Sequence, residues 1–314
     1  MWNASDKRDD CRLADMRRAL ELRSRILYTI RQFFARRHFV EIETPVRIPA
    51  PALERHIDAV PSRDQFLRTS PEFHLKRFLA QGYDRIFEMG PCFRDGEMGD
   101  LHNPEYTMIE WYRRGTDYIG ILRDMEALLP FVGKRVLGGT RVRFRATVID
   151  LSPPWERVSV EDAFAAHAGW NPLERFDADR FDLDLVEKVE PALPRDRPVV
   201  LMDYPGEAGG FARRKPGARN AVERWELYLG GVELANAFSE LTDPVEQRAR
   251  LEECARERQR AGKPAYAVDE WFLAALEKGL PPSGGVALGV DRLAMILTDA
   301  SSLDGVIPFR GDTV

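Results

Sequence analysis

The sequence has 314 residues, of which 44% are hydrophobic and 31% charged, a composition typical of a soluble globular enzyme with a large core. Its 51 Asp and Glu residues outnumber its 46 Lys and Arg residues, and the net charge of −5 argues against a protein whose main role is to grip phosphate backbones. Three widely spaced cysteines, a charged N-terminal segment and the lack of a long apolar stretch argue against a disulfide framework, a signal peptide and a membrane span, so we expect a cytoplasmic protein.

The first quarter of the chain is predicted to form a long helix, short strands and a second helix. Between about residues 12 and 37, apolar residues recur at helical spacing among many charges, which predicts an amphipathic helix. These apolar residues are Met16, Leu20, Leu27, Ile30 and Phe34. Residues 39–46 alternate as a strand that Pro45 stops, because proline has no amide hydrogen to donate to a ladder. A weaker strand pair follows at residues 57–67, and a short helix at residues 70–82 carries proline at its first position.

The stretch from Phe93 to Tyr112, FRDGEMGDLHNPEYTMIEWY, concentrates polar residues. It follows a strand predicted over residues 85–93 and ends in an alternating run that places Glu110 and Tyr112 on one face. We therefore predict two antiparallel strands joined by a long loop, with polar side chains directed at a ligand on one face.

The middle of the chain has a weaker pattern. After a helix predicted over residues 117–132, the segment from about residue 137 to 197 suggests a strand, two short helices and several prolines, which suits a small insertion on the main sheet. A strand is predicted at residues 199–205, and Gly230-Gly231 marks a hairpin between two further strands. The Gly- and Arg-rich residues 206–220 are interpreted either as a mobile surface loop or as a lid or docking loop.

The last quarter is predicted to be mostly helical around one strand. Residues 243–262 form a highly charged helix that Asp243 caps, with proline in its first turn. A short helix is predicted near Trp271. Residues 283–297 follow as an apolar, glycine-containing strand that leads directly into a helix. This order predicts an α+β fold with an antiparallel, mostly consecutive sheet flanked by helices, rather than alternating βαβ units.

Candidate site residues lie on or beside the predicted strands, since no Walker loop and no dinucleotide-binding glycine triplet is present. They form four polar pairs: Arg94 with His102, Glu110 with Tyr112, Glu226 with Glu233, and Asn236 with Glu240. Glu226 and Glu233 flank the Gly230-Gly231 turn, so we expect their carboxylates to face each other across the hairpin and to hold Mg²⁺. The alternative is that these acidic residues merely cover a solvated sheet face.

Several segments together resemble the motifs of one family. FRxx…HNPEYTMIEWY, GVELANAFSEL and GVALGVDRL are similar to motifs 2 and 3 of class II aminoacyl-tRNA synthetases, specifically of the lysyl branch, and TPV after the long helix resembles motif 1. The resemblance covers nearly the whole chain in consistent order. It implies one class II synthetase-like catalytic domain over residues 1–314, with the insertion at about 137–197 and no N-terminal anticodon-binding OB-fold.

Within the lysyl branch, the sequence most resembles the truncated, lysyl-tRNA synthetase-like β-lysine ligases of elongation factor P. Ser70-Pro71-Glu72 and Glu110-Trp111-Tyr112 stand where synthetases carry Ala-Pro-Glu and Glu-Leu-Tyr, and Ala287 stands where they carry Gly. The resemblance implies that the protein uses ATP and Mg²⁺ to activate lysine or β-lysine as an adenylate. It further implies transfer to a lysine of elongation factor P without tRNA, and a homodimer that pairs through the motif 1 helix and strand.

The resemblance also assigns residues to ATP and the metal ion. Arg94 and Arg292 would be catalytic, because arginine can neutralise the charge that grows on phosphates during an in-line displacement. Glu226 and Glu233 would coordinate Mg²⁺. The remaining ATP contacts would be Glu97, His102, Asn103 and Tyr106, with His102 at the γ-phosphate and Tyr106 stacked on adenine.

For the amino acid, the resemblance implies a pocket that recognises two ammonium groups. Glu72 would bind the backbone amine and Asn236 the carboxylate, while Glu110, Tyr112 and Glu240 would bind the distal ammonium. Several carboxylates suit that end of the pocket, because an unpaired buried charge would cost several kcal/mol. Ser70 and Ala287 would complete the substrate-binding set.

One position departs from the family pattern. Motif 2 normally runs Phe-Arg-x-Glu, and that Glu meets the adenine amino group, whereas this sequence has Gly96 there and Glu97 one residue later. Either Glu97 takes the role on a shifted loop, or one adenine contact worth about 1–3 kcal/mol is lost. We expect adenylation to be retained.

Two other functions compete with the ligase hypothesis, namely a tRNA-charging lysyl synthetase and a non-catalytic paralogue that binds an amino acid. The two phosphate-binding arginines and two metal-binding carboxylates favour an enzyme over a binding protein. Adenylation needs no general base, because the substrate carboxylate is already ionised, with a pKa of about 3.5. Amide formation does need one, since the acceptor lysine must first lose a proton, and the sequence identifies no residue for that role.

Overall fold

The structure, a computed structural model, describes residues 5–264 and 266–311, with side chains from Leu13 onward. Within these residues the α-helices are α1 (Ser5–Ala35), α2 (Glu72–Ala80), α3 (Tyr118–Leu137), α4 (Val160–His167), α5 (Ala178–Asp184), α6 (Glu190–Ala192), α7 (Pro244–Arg260), α8 (Glu270–Glu277) and α9 (Val290–Leu297). A π-helical turn over Leu185–Val189 joins α5 to α6. None of these helices is both long enough and apolar enough to cross a membrane.

The strands form one large sheet and two small ones. In chain order they are β1 (Val40–Glu41), β2 (Arg47–Ile48), β3 (Pro61–Ser62), β4 (Gln65–Leu67), β5 (Arg85–Phe93), β6 (Glu105–Arg114), β7 (Arg141–Phe144), β8 (Thr147–Asp150), β9 (Glu156–Ser159), β10 (Val199–Met202), β11 (Arg224–Leu229), β12 (Val232–Ser239) and β13 (Ser283–Gly289). The large sheet has the order β1-β5-β6-β13-β12-β11-β10-β9. All its internal pairs are antiparallel, and the edge pairs β1–β5 and β9–β10 are parallel.

The predicted α+β class is confirmed, and the large sheet is mostly consecutive and mostly antiparallel, as expected. The largest departure from chain order is β13, which returns from the end of the chain to lie between β6 and β12. The two edge pairs of the sheet are parallel. Glycine permits the central insertion of β13, since a Cβ on Gly284 would lie 2.6 Å from Ile121 of α3 and 2.9 Å from the Asp117 carbonyl oxygen.

The sheet separates a hydrophobic layer from the face that carries the polar residues. On one face, α1, α3 and α9 pack over alternate strand residues, with Phe34 of α1 stacked on Phe87 at 4.8 Å and tilted against Trp111 at 5.1 Å. Burying a side chain such as Phe34 completely contributes about 2–3 kcal/mol. On the opposite face, Ile86 and Tyr112 belong to a second cluster with α2, α7 and α8. Because successive strand residues point to opposite faces, neighbours such as Trp111 and Tyr112 are divided between the two layers.

Most predicted elements are confirmed, while the early strand and the middle segment differ. The strand predicted over residues 39–46 pairs only at Val40–Glu41. Beyond it, the Thr44 amide and hydroxyl donate to the Glu88 carboxylate at 3.2 and 2.8 Å, so a side chain replaces the ladder there. The middle segment contains three strands instead of one, and β9 extends the large sheet. Cys92 and Cys254 are free thiols, as expected, and the Cys11 side chain lies outside the described residues.

Candidate active site

One row of directly paired residues crosses the centre of the large sheet. Glu110 of β6 pairs with Ala287 of β13, Ala287 with Asn236 of β12, and Asn236 with Glu226 of β11. Directly opposite residues in a ladder project to the same face, and all four line one cavity of about 890 Å³. Strand pairing therefore brings together residues that are up to 177 positions apart in the sequence.

A β-bulge in β12 allows both Glu233 and Asn236 to line this cavity. Tyr228 of β11 pairs with Glu233 of β12. The preceding residue of β11, Leu227, pairs with Ala235 of β12, so Leu234 is an extra residue on β12. In a regular strand, residues three apart point to opposite faces, and the extra residue cancels that difference. The expectation that Glu226 and Glu233 face each other directly is wrong, since their ladder partners are Asn236 and Tyr228. The two carboxylates instead line the same cavity diagonally across the hairpin.

The Glu226 carboxylate is held by three side chains. Arg224 donates to Oε1 at 2.6 Å, and Tyr204 and Tyr228 donate to Oε2 at 2.6 and 2.9 Å. Glu233 is more open, with its side chain 41% exposed and its carboxylate 3.1 Å from Arg292. Within the described part of the chain, no group of three or more His, Cys, Asp or Glu side chains is arranged to hold a metal. Two carboxylates suit Mg²⁺ when substrate phosphates supply further oxygens, which is the usual arrangement for that ion.

The cavity also contains a cationic group that is suited to an anion. Arg94 lines the cavity, and its Nε is buried without a hydrogen-bond acceptor in the described residues. Its Nη1 lies 3.6 Å from the Glu97 carboxylate, too far for a hydrogen bond. A buried guanidinium with a free donor is costly unless a ligand supplies the acceptor, and a phosphate oxygen would do so.

Arg292 contacts both Glu233 and His102. Arg292 donates to the Glu233 carbonyl at 2.7 Å and to the Leu101 carbonyl at 3.2 Å, and its Nη2 lies 2.9 Å from His102 Nε2. Since arginine can only donate, His102 Nε2 accepts and the ring proton resides on Nδ1. Burial lowers the pKa of His102 and the Arg292 charge lowers it further. His102 is therefore neutral at physiological pH, with its Nε2 already engaged.

Three other predicted ATP contacts have distinct surroundings. Tyr106 donates its hydroxyl to the Thr69 carbonyl at 2.8 Å, and the Arg94 guanidinium lies 5.2 Å from its ring centre. Asn103 also lines the cavity, but its Nδ2 donates to the Glu105 carbonyl at 2.5 Å and its Oδ1 accepts a hydrogen bond from the Gly311 amide at 3.2 Å. These bonds give Asn103 a structural role in fixing the chain near residue 311. Glu97 lines the cavity beside Arg94, and Gly96 adopts a left-handed backbone with φ of 72°.

The predicted amino-acid end is organised around Glu110. Ser70 donates to Glu110 Oε1 at 2.5 Å and Tyr112 donates to Oε2 at 2.8 Å, while the Glu72 amide donates to the Ser70 hydroxyl at 2.9 Å. Burial raises the pKa of Glu110 to about 8, and the neighbouring Glu72 carboxylate adds to the rise. Ser70, Glu72, Glu110 and Tyr112 all line the cavity, as the sequence predicts.

Lys76 is the main residue that sequence reasoning missed. Its buried ammonium lies 2.5 Å from Glu72 Oε1 and 2.5 Å from Glu240 Oε2, and it is surrounded by three aromatic rings, Phe211, Phe238 and Phe272, at 5.2–5.7 Å. Burial acts to lower the pKa of Lys76, but the two carboxylates raise it, and the net direction is upward. The sequence feature that could have identified Lys76 is its position four residues after Glu72, because this spacing places both residues on one face of a helix.

Glu240 shares the Lys76 ammonium with Glu72, and its predicted role at the substrate ammonium stays a prediction. It is 1% exposed, does not line the cavity and forms an ion pair with Lys76. Gly285 lies against it, because a Cβ at that position would overlap both the Tyr112 ring and the Glu240 carboxylate. Of the predicted carboxylates at the amino-acid end, Glu110 and Glu72 line the cavity, with Glu72 Oε1 paired to Lys76.

Segments without an assigned role close the rest of the cavity. The loop at residues 206–220 is packed in part, because Phe211 is 7% exposed and lies edge-on against Phe73 at 5.3 Å, while residues 216–219 are exposed. From the middle segment, Phe181 and Leu185 line the cavity. His56 lies 3.1 Å from Asp182 and connects this segment to the loop before β3. Nothing in the local sequence pattern of either segment signalled these contacts.

Comparison with known proteins identifies the family that the chain matches. Residues 5–313 match the family described as tRNA synthetases class II (D, K and N). The chain is 38% identical over 312 residues to a lysine–tRNA ligase of Thermoanaerobacter sp. (strain X514), an alignment that covers 91% of this chain and 62% of the relative. It is 36% identical over 315 residues to a lysine–tRNA ligase of Clostridium perfringens (strain SM101 / Type A), covering 91% and 63%.

A lysine–tRNA ligase of Dehalococcoides mccartyi is 37% identical over 322 residues, covering 94% of this chain and 64% of the relative. The chain thus spans 62–64% of the length of these curated relatives. The family match extends over all the strands and helices of the large sheet. The chain therefore belongs to the class II tRNA synthetases of the D, K and N group.

Proposed function

We propose that the protein activates lysine or β-lysine with ATP as an aminoacyl-adenylate and transfers it to a lysine of elongation factor P. The observation that carries this proposal is one cavity lined both by the carboxylates Glu110 and Glu72 and by Arg94, whose Nε has no acceptor in the described residues. Carboxylates suit the ammonium groups of a diamino acid, and the guanidinium suits a phosphate. Asn236 and Ala287 of the central row line the same cavity.

In the proposed reaction, the substrate carboxylate attacks the α-phosphorus of ATP and pyrophosphate leaves. Arg94 would neutralise charge on the α-phosphate and Arg292 on the distal phosphates, so that positioning and electrostatics supply the rate. Glu226 and Glu233 would hold Mg²⁺, whose positive charge would stabilise the pyrophosphate leaving group. Tyr106 and Glu97 would border the adenine, with Glu97 replacing the glutamate that Gly96 lacks.

Two features support a protein lysine as the acceptor. Acidic side chains outnumber basic ones among the residues that line the cavity, which favours a cationic acceptor over a polyanion. Ala287 lies directly between Glu110 and Asn236 in the central row, and its methyl group reshapes the space that a lysine isomer would occupy. A second candidate, tRNA charging, is favoured by the lysine–tRNA ligase names of the relatives.

The activation step is tested by pyrophosphate exchange. We expect exchange that depends on α-lysine or β-lysine, and none with leucine, whose side chain carries no charge for Glu110. Exchange with neither lysine isomer would overturn both the ligase and the tRNA-charging proposals and would favour a binding protein. The acceptor is then identified by incubating the enzyme, ATP and the labelled amino acid with purified elongation factor P or with tRNA. Label on tRNA alone would support the second candidate.

The raised pKa of Glu110 predicts a pH dependence of amino-acid binding. Below a pKa of about 8 the free protein holds a proton on Glu110, and a bound ammonium must displace it. The KM for lysine should therefore fall as pH rises from about 6 to 8, by up to about tenfold per pH unit. Exchange assays across this range measure it, with Glu110→Gln as the variant that should lose the dependence. A KM that stays constant from pH 6 to 8 in the unaltered protein would refute this assignment.

We also propose that the chain is one catalytic domain with an insertion at about residues 137–197, and that it forms a homodimer through α1 and β1. Apolar side chains on both elements support the dimer, since Tyr28 is 64% and Val40 48% exposed. Tyr28→Asp should convert the dimer to a monomer in light scattering at micromolar concentration, because a charge would be buried in the interface. Tyr83→Asp, at a 41% exposed position elsewhere, is the matched control. A monomeric unaltered protein would contradict the proposal.

A further inference from the structure

Glu54 is a cavity residue to which none of the roles above applies. It lies in the loop between β2 and β3 and lines the cavity together with Arg94 and Glu72. Among residues 5–264 and 266–311, its carboxylate forms no hydrogen bond and no ion pair, so both oxygens remain available to a ligand. Its neighbour Leu53 is buried and anchors the loop in the cluster beneath it.

The backbone at Glu54 is fixed by a buried arginine of α7. Arg258 donates to the carbonyl oxygens of Glu54 and Ile57, both at 2.8 Å, and to the Asp58 carboxylate at 2.5 Å. The Arg258 guanidinium also stacks over the Tyr266 ring at 4.6 Å, and its side chain has no exposed surface. The Asp58 carbonyl in turn accepts the Asp95 amide at 2.7 Å, which ties the loop to the residue after Arg94. The Glu54 carboxylate is therefore presented from a rigid support.

Glu54 lines the cavity together with Arg94 and Glu72, and the bond from the Asp95 amide to the Asp58 carbonyl holds its loop beside the residue that follows Arg94. Burial raises the pKa of Glu54 above its usual value, the Arg94 charge opposes the rise, and the Glu72 charge adds to it. In the proposed reaction Arg94 would hold the α-phosphate and Glu72 the backbone amine of the amino acid. The adenylate carbonyl carbon would lie between these two groups, within the part of the cavity that the Glu54 loop borders.

Transfer requires a base, because the acceptor lysine is protonated at neutral pH, with a pKa near 10.4. One proton must leave its ammonium before nitrogen can attack the carbonyl carbon. The new C–N bond forms as the C–O bond to phosphate breaks, and AMP departs with the electron pair. The second nitrogen proton then passes to the departing phosphate or to water. A carboxylate whose proton affinity has been increased by its surroundings is a better acceptor for the first proton than an ordinary glutamate.

We infer that Glu54 is the general base that deprotonates the acceptor amine in the transfer step. This inference rests on the proposed ligase function and adds a catalytic residue to it. Glu54 acts after the adenylate has formed, so its removal should impair transfer while leaving activation unchanged. After transfer, the proton held by Glu54 is released to solvent.

The test compares Glu54→Gln with the unaltered enzyme in two separate reactions. Pyrophosphate exchange with lysine should be unchanged in kcat and KM, whereas transfer to elongation factor P should fall about 10²–10⁴-fold at pH 7.5. Glu253→Gln, which removes another cavity-lining carboxylate that is paired with Arg256 at 2.8 Å, is the matched control and should transfer normally. Hydroxylamine is uncharged at neutral pH and needs no base before it attacks. The Glu54→Gln variant should therefore acylate hydroxylamine at the same rate as the unaltered enzyme.

A pH profile adds a readout that a structural role would not change. Transfer by the unaltered enzyme should reach a plateau above the pKa of Glu54, whereas Glu54→Gln should increase about tenfold per pH unit toward the pKa of the free amine. Transfer by Glu54→Gln at the unaltered rate would overturn the inference. A raised KM for lysine in exchange would also overturn it, since Glu54 would then bind the amino acid. If the unaltered enzyme shows no exchange or no transfer, the proposed function fails instead.

Discussion

Replacing Lys76 with methionine is expected to lower the free energy of unfolding by about 3–5 kcal/mol, because removing one partner of a buried ion pair leaves the other charge uncompensated. The Lys76 ammonium lies within 2.5 Å of both Glu72 and Glu240, and Glu240 is 1% exposed. Methionine has a similar volume and would still pack against Phe211, Phe238 and Phe272, so the loss would come from charge rather than from a cavity. Urea unfolding followed by circular dichroism measures the change.

Two further variants separate charge from packing at this position. Lys278→Met alters an exposed lysine at the end of α8 and should change stability by less than about 0.5 kcal/mol. The double variant Lys76→Met, Glu240→Gln should recover part of the loss, because it removes one of the unpaired charges. Equal effects of Lys76→Met and Lys278→Met would contradict the proposed role of the ion pair.

The same ion pair has a defined pH dependence. The pKa of Lys76 is raised in the folded protein, so its contribution to stability is fully present below the unfolded-state value of about 10.4. It is lost only as pH rises through the higher folded-state value. Burial raises the pKa of the partner Glu240 to about 8, so a change between pH 6 and 9 in the stability difference between Lys76→Met and the unaltered protein would come from Glu240 and not from Lys76.

Arg94→Ala is expected to reduce kcat for lysine-dependent pyrophosphate exchange by about 10²–10³-fold, as removal of one preorganised donor from a developing charge typically does. Arg94 lines the cavity with a buried Nε that has no acceptor in the described residues, so it is positioned for an anion without a competing internal partner. Its neighbour Tyr106 would keep its hydroxyl bond to Thr69. The fold should therefore survive the substitution, and thermal unfolding should confirm this.

Conservative and distant substitutions make the Arg94 test specific. Arg94→Lys keeps the charge but loses the planar fork of donors, so we expect activity between those of the alanine variant and the unaltered enzyme. Arg248→Ala removes an exposed arginine that pairs with Glu270 at 2.6 Å and should exchange at the normal rate. Unimpaired exchange by Arg94→Ala would show that the α-phosphate is held elsewhere.

Several parts of the fold followed from local sequence patterns. The alternation in β5 and β6 predicted their antiparallel pairing, and β5 has exactly the predicted bounds. Gly230-Gly231 predicted the hairpin because both residues adopt positive φ, of 63° and 79°, which glycine tolerates. Asp243 was predicted to cap α7, and its side chain accepts the Val245 and Glu246 amides. Each of these features depends on residues that are close together in the chain.

Other features had no such local signal. The central row depends on β13 lying between β6 and β12, and on the extra Leu234 that turns Glu233 and Asn236 to one side. The loop at residues 206–220 was ambiguous because its glycines suit both mobile and packed conformations, and only the contact of Phe211 with Phe73 decides between them. The prediction that Glu226 and Glu233 face each other directly was wrong because a β-bulge in β12 shifts the pairing, and a bulge has no fixed sequence signature.

By itself, the sequence determined the fold class, most of the helices and strands, and which residue types line the cavity, because periodicity, caps and turns act over a few residues. The tertiary structure alone decided which of those residues face a ligand. It placed Lys76 between Glu72 and Glu240, and it brought Glu54 to the cavity that Arg94 lines, on a loop held by Arg258. The physical reason is that charge pairing and exposure depend on groups distant in sequence, whose positions are set only when the strands assemble.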